Sequence, residues 1–258
     1  MGRGRKPIST PTSEVEKVPT KVLVVDKKEF DSAKILDHIS VKVQCKNETQ
    51  KKLIKTIKEK EITIVSGLPG TGKTFLACAE ALKMVKNHEF KHIILVKSVT
   101  QLKGEETGFL PGDIKEKLEP YMISFIDNFE KIVGEEVTNK LRDLGLIKIQ
   151  PLSFIRGRSI DNAIIIADEC QNITLDNMKT LLTRIGDNSK MVILGDTKQK
   201  DIKNKKESSL EIIYKMFEDE PEFGCVSLNN PDEIVRNKII KIIERKFDEY
   251  EENKGLNK

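Results

Sequence analysis

Apolar residues gather along this chain in short dense runs set between longer polar stretches. Positions 62–65, 92–96, 163–167 and 191–194 are apolar or β-branched almost without interruption. Such runs predict strands buried on both faces, as in a parallel sheet. Positions 144–150 and 225–228 predict two further strands, and 22–25 and 39–43 two short ones ahead of the rest. Between the runs the period becomes helical. Residues 46–50 open an amphipathic helix carrying Leu53, Ile54 and Ile57, and residues 75–85 form a second helix. Asp113 caps a third, with Ile114, Leu118, Tyr121, Met122 and Phe125 on one face. Residues 174–185 read as a helix with Thr174 at its N-cap, and 211–217 as another. A closing helix over 231–252 should turn Ile234, Ile239, Ile243 and Phe247 inward. Strands that alternate with helices predict an α/β fold, a mostly parallel sheet with helices on both faces. The expected organisation is a disordered basic tail (1–20), one domain (21–252) and a frayed tail (253–258).

The chemistry concentrates where strands end. The strand at 62–65 runs into Gly67-Leu68-Pro69-Gly70-Thr71-Gly72-Lys73-Thr74, and a helix follows at once. This is the complete G-x-x-x-x-G-K-[ST] pattern in the context that gives it meaning. The glycines let backbone N–H groups close around a phosphate, and the new helix turns its positive end to the same anion. Lys73 is placed to reach the β- and γ-phosphates of a nucleoside triphosphate, and the Thr74 hydroxyl to ligate Mg²⁺. The strand at 163–167 ends in Asp168-Glu169-Cys170-Gln171. A helix cap would explain Asp168 alone. Beside Lys73 and Thr74, the pair reads instead as a metal carboxylate (Asp168) and a water-orienting carboxylate (Glu169). The strand at 191–194 ends in Gly195-Asp196-Thr197-Lys198-Gln199, where Gln199 fits a sensor of the γ-phosphate. Gln50 offers one donor and one acceptor to an adenine edge, though alone an exposed helix Gln means nothing. The long polar loop 97–113, with Lys103 and Phe109, sits where α/β sheets place ligands, and Arg156-Gly157-Arg158 suits phosphate contacts or mere solvation.

Composition narrows the partners only slightly. The net charge is +4, from 45 basic and 41 acidic residues, too balanced to demand a nucleic-acid partner. Aromatics make up 5% and Trp is absent, so few rings are free to stack bases. The stretch Gly2-Arg3-Gly4-Arg5-Lys6-Pro7 looks like an AT-hook core; a flexible basic tail is the favoured reading. Four dispersed cysteines and three histidines suggest neither a disulfide framework nor a zinc site. With no membrane-length apolar run and no signal peptide, a cytoplasmic setting is expected.

In order, the chain presents NETQ, GLPGTGKT, a strand with a GFLPGD loop, RGRS, IIADECQN, LTRIG and ILGDTKQ. Over residues 45–250 this closely resembles the PhoH-like family of P-loop ATPases, relatives of the superfamily-one helicases. The resemblance implies a single RecA-like P-loop NTPase domain using ATP and Mg²⁺. It implies that Gln50 reads adenine, that residues 67–74 hold the nucleotide, and that Gln171 and Gln199 couple and sense. Arg156, Arg158, Arg184 and Arg236 match arginines of family motifs. Cys170 stands where the family usually has Ala, and Lys97-Ser98 where it has Arg-Pro. The first expectation is an ATPase that moves on or remodels single-stranded nucleic acid, RNA before DNA. The rival is a nucleotide-operated switch on a protein partner, and a small-molecule kinase comes third. No ribonuclease domain is expected ahead of the ATPase, nor a second P-loop-type domain after it. An arginine finger, Arg184 or Arg236, must then come from this domain or from a neighbour in a homo-oligomeric ring, expected to be a hexamer.

Overall fold

The computed structural model of the chain describes residues 27–97, 114–196 and 208–256. In chain order its elements are α1 (Lys27–His38), α2 (Glu48–Glu59), β1 (Ile62–Gly67), α3 (Lys73–Lys86), β2 (His92–Lys97), α4 (Ile114–Val133) and α5 (Glu135–Asp143). There follow β3 (Ile147–Pro151), β4 (Ala163–Asp168), α6 (Leu175–Leu182), β5 (Lys190–Gly195), α7 (Ser209–Phe217), β6 (Phe223–Leu228) and α8 (Lys238–Leu256). Short 3-10 turns lie at Leu152–Phe154, Cys170–Asn172 and Pro231–Glu233. The strands form one sheet in the order β3-β2-β4-β5-β1-β6, and every ladder among the described residues is parallel.

The consecutive apolar positions of the central strands are explained by burial on two faces. Val65, Ile93, Leu95, Ile164, Ile166, Val192 and Leu194 point to a core completed by α1 to α5. Their alternates Ile64, Ile94, Val96, Ile165, Met191 and Ile193 point to a second core under α6 and α7. Side chains two apart share a face, so a strand with helices above and below must be apolar throughout. All six residues of β1 and of β4 are buried. Their carboxyl ends therefore emerge as rigid points from which the next residues project.

Several expected elements differ. Residues 39–43 alternate apolar and polar as a strand would, and Ile39 is buried with Val41 and Val43 partly buried against the α1–α5 core. Among the described residues they pair with no strand, and they cover the α1–α5 core from outside the sheet. The period 2 was a true signal of facing, not of a ladder. Helices α1 and α5 were not foreseen; α5 buries only Thr138 and Leu141. Strand β3 starts at Ile147, and α6 stops at Leu182. Ile185 instead forms an isolated bridge to Ile160. Thr174 does cap α6, accepting from the Asn177 N–H. Ser208 and Glu211 form a capping box on α7. The expected strand at 22–25, the Asp113 cap, the loop 98–113 and Gln199 lie outside the described residues.

The largest correction concerns the closing helix. It is broken after the 3-10 turn Pro231–Glu233, and α8 begins only at Lys238 and runs to Leu256, through part of the expected frayed tail. Ile234 is buried, at 3% exposure. Ile239, Ile243 and Phe247, expected inward, are 51%, 45% and 64% exposed. The helix leaves the body of the domain at the break, so its apolar stripe meets no core.

Candidate active site

The P-loop takes its shape from backbone conformations that most residues avoid. Gly70 and Gly72 hold φ +79° and +87°, the left-handed region that glycine enters at least cost. The loop is also tied on all sides. Leu68 N–H donates to Leu228 O at 3.0 Å, and the Thr71 hydroxyl donates to Leu68 O at 2.8 Å. Val235 N–H, in the break before α8, donates to Gly70 O at 3.0 Å. Gln50 is buried in α2, and its Nε2 donates to Thr71 O at 2.8 Å. Its Oε1 accepts from Lys46 N–H at 2.7 Å. Each amide atom has two bonding positions, so one N–H and one lone pair are left, the complement of an adenine edge.

Lys73 opens α3 and folds back on the loop, donating to Gly67 O at 2.7 Å and Leu68 O at 3.2 Å. Burial pushes its pKa down, against the pull of Asp168, Asp196 and Glu169; the Arg236 cation adds to the lowering. β4 is separated from β1 by β5, yet its tip reaches the loop: the Thr74 hydroxyl donates to Asp168 Oδ2 at 3.0 Å. Burial, and then the neighbouring Glu169 charge, raise the Asp168 carboxyl. The Glu169 N–H, Lys73 and Thr74 offset part of that rise. A hydroxyl and a buried carboxylate in contact, short of positive charge, fit the one or two protein ligands that Mg²⁺ takes beside a nucleotide.

Glu169 follows with φ +58°, a strained conformation for a residue with a side chain. Gln171 holds it there. Its Nε2 donates to Glu169 Oε2 at 2.7 Å, while its Oε1 accepts from Asp196 N–H at 3.0 Å at the tip of β5. Around these groups opens a cavity of about 520 Å³, lined also by Pro69, Gly195 and Asp196. Ser124, Asp127, Asn128 and Lys131 of α4 face into it as well. None of the four was anticipated. Their spacing of three and four marks one helix face, but a polar helix face ordinarily reads as solvated.

The two arginine candidates part company. Arg236 lines the cavity of its own chain, and a Cβ on Gly70 would come within 3.3 Å of its side chain. Arg184 ends the α6 segment, beside residues 158–160 and ahead of β5, at the amino edge of the sheet. A six-residue strand places that edge about 20 Å from the carboxylates. Arg184 is therefore remote from the nucleotide pocket of its own chain.

A glycine-shaped P-loop, a carboxylate pair at the tip of β4 and the Thr74–Asp168 contact that joins them define a P-loop nucleotide-binding α/β domain. The model of the family described as "PhoH-like protein" matches residues 42–248, and the chain belongs to that family. It is 37% identical over 202 residues to a PhoH-like protein of Bacillus subtilis (strain 168), covering 78% of this chain and 63% of the relative. It is 34% identical over 241 residues to a PhoH-like protein of Mycobacterium bovis, covering 93% and 66%. The chain thus spans less than two thirds of the length of either relative. Among solved structures, the large terminase of bacteriophage HK97 aligns with a TM-score of 0.48 at 13% identity, over 79% of this chain and 44% of that one.

Proposed function

We propose that the chain is an ATPase that couples hydrolysis to the binding or remodelling of single-stranded nucleic acid, RNA in preference to DNA. One observation carries the hydrolytic half. The Thr74–Asp168 contact stands next to a Glu169 held in a strained conformation by Gln171, an arrangement suited to activating water rather than accepting a substrate hydroxyl. In this reading the backbone of residues 67–74 receives the triphosphate, and Lys73 leaves the Gly67 and Leu68 carbonyls for it. Gln50 meets the adenine with its remaining N–H and lone pair. Thr74 and Asp168 would hold Mg²⁺, which when bound neutralises charge on the phosphates. Glu169 accepts a proton from the attacking water, and Arg236 supplies the cation that stabilises the transferred phosphoryl group from within the same chain. Gln199, four residues beyond β5 in the sequence, serves as the sensor.

The nucleic-acid half is supported by family membership. We also propose that copies self-associate in a cytoplasmic setting, a hexameric ring being the form the family resemblance implies. ATP hydrolysis measured alone, with oligo(U) and with oligo(dT) tests the reading. Stimulation, stronger with RNA, is the expected result. Hydrolysis indifferent to both would leave the protein-switch alternative standing.

A further inference from the structure

Beyond the nucleotide pocket, an exposed aromatic ring stands in a loop just ahead of two exposed arginines. Strand β3 ends at Pro151, which pairs with Lys97, and Lys97 pairs in turn with Asp168. The 3-10 turn Leu152–Phe154 therefore leaves the sheet at the level of the carboxylates. Leu152 and Ile155 are both buried in the α6–α7 core, at 9% and 0% exposure, while Phe154 between them is 55% exposed. Anchors on either side fix the backbone, so the ring cannot withdraw without lifting a core residue.

The chain then descends along α6. Arg156 Nη2 donates to Asn177 Oδ1 at 2.7 Å, at the first turn of α6. Gly157 turns at φ +74° into open space, with nothing within 4 Å of a would-be Cβ. Arg158 is exposed, and its carbonyl accepts from Arg184 Nη1 at 3.4 Å at the far end of α6. Three acids lie near, Asp161, Asp176 and Asp187. Asp161 accepts from the Ser159 hydroxyl and the Asp187 N–H. Asp176 is exposed in the first turn of α6. Arg156, Arg158 and Arg184 face these three acids, of which Asp161 is already taken up by protein donors.

We propose that Phe154 is a base-stacking platform, and that Arg156 and Arg158 hold the adjoining phosphates of a single strand of nucleic acid. The inference rests on the nucleic-acid reading above and gives it a location. A ring stacks on any base, and guanidinium groups track any backbone, which is the combination sequence-tolerant single-strand binders use. The place also suits coupling. Glu169 and Gln171 precede α6 by a few residues, and α6 holds Arg156 through Asn177.

The test uses the whole chain and fluorescent oligo(U) and oligo(dT), with anisotropy followed across salt concentrations. Phe154→Ala should weaken binding roughly 5- to 150-fold, the span expected of one stacked base, and leave the salt slope unchanged. Phe154→Trp should restore affinity. Arg156→Gln and Arg158→Gln should each lower the slope of log K against log salt by about 0.7. ATP hydrolysis without nucleic acid should be unaffected in all four. If the unaltered chain binds the oligonucleotides and these variants bind equally well, the location is wrong and the general reading survives. If the unaltered chain binds neither, both fall. If Phe154→Ala changes the mass of the assembly and not the affinity, the ring belongs to a subunit contact and the proposal is overturned.

Discussion

The P-loop and α8 meet at Arg236 and are built on opposite principles. In the loop the carbonyls of Gly67, Leu68, Gly70 and Thr71 all accept from protein donors, and the strand beneath it is buried throughout. Two residues after Arg236 the chain becomes a helix whose Ile239, Ile242, Ile243, Phe247 and Tyr250 are 45–64% exposed. Both segments announce themselves by pattern. The loop's pattern is chemical and local: glycines at left-handed positions, then Lys73 and Thr74. The helix's pattern states only that one face is apolar. Periodicity reports a face and not what covers it, so a rule that works for α3 misplaces α8.

The comparison breaks most visibly if the loop's chemistry is removed. Glu169→Gln should lower ATP turnover by about 10²–10⁴-fold, the cost of losing a general base, and leave nucleotide affinity near normal. Lys73→Ala should weaken binding itself. Binding of a fluorescent ATP analogue and a phosphate-release assay separate the two, and unchanged turnover in Glu169→Gln removes the assignment.

Next in size is the residue that joins the two regions. Arg236→Ala should slow turnover by about 10²-fold, the loss typical of one group aimed at transition-state charge. Because Arg236 lines its own cavity, mixing Arg236→Ala with Lys73→Ala chains should restore nothing. Recovered activity on mixing would mean that the arginine acts between copies.

Most of the sheet was legible because a strand buried on both faces has almost no alternative composition, and 163–168 could hardly be anything else. The candidate site was legible for a related reason: Asp168 and Glu169 end an apolar run where paired charges have few structural excuses. What stayed hidden depends on packing across distant segments. The clamp of Gln50 on Thr71, the Val235–Gly70 bond and the polar face of α4 each need the third dimension. The period 2 of residues 39–43 looked like a strand because an extended cover and a ladder bury the same alternate side chains.

A smaller effect concerns what the site costs the fold. Burial raises the Asp168 carboxyl above the ordinary aspartate value of 3.8. A raised carboxyl binds its proton more tightly in the folded state. The nucleotide-free protein therefore loses stability as pH climbs from 3.8 through the raised value, and carries the full cost at neutral pH. Asp168→Asn should raise the melting temperature of the nucleotide-free protein at pH 7 by about 2–4 °C, what roughly 1 kcal/mol is worth in a chain of this size. The gain should vanish below pH 4, and the thermal shift on adding Mg²⁺ and ATP should shrink. A variant that melts lower at pH 7 would show that Asp168 supports the fold through Thr74 and is no burden to it.

The smallest effect on the fold is expected where the sequence reading failed. The exposed positions 239, 242, 243, 247 and 250 recur at helical spacing, so they form one stripe along α8. Left in water, the stripe forgoes about 1.5–3 kcal/mol for each large side chain that a partner would bury. The charges of the helix are divided along its length. Lys238, Lys241, Arg245 and Lys246 outnumber Glu244 in its first half, and Asp248, Glu249, Glu251 and Glu252 outnumber Lys254 in its second. Two copies of α8 laid antiparallel would set each basic half against an acidic one. Such a contact is isologous and closes a pair, whereas a head-to-tail ring requires α8 to dock on a different surface of its neighbour. Ile243→Glu with Phe247→Glu removes the stripe and keeps the helix. Its melting temperature, measured at a concentration where the unaltered chain is also monomeric, should stay within what about 0.5 kcal/mol allows for exposed positions. Light scattering should then find a monomer at concentrations where the unaltered chain associates. A twofold mass for the unaltered chain favours the antiparallel pair and a sixfold mass the ring, while an assembly that ignores the double substitution would place the subunit contact elsewhere and leave α8 to a different protein.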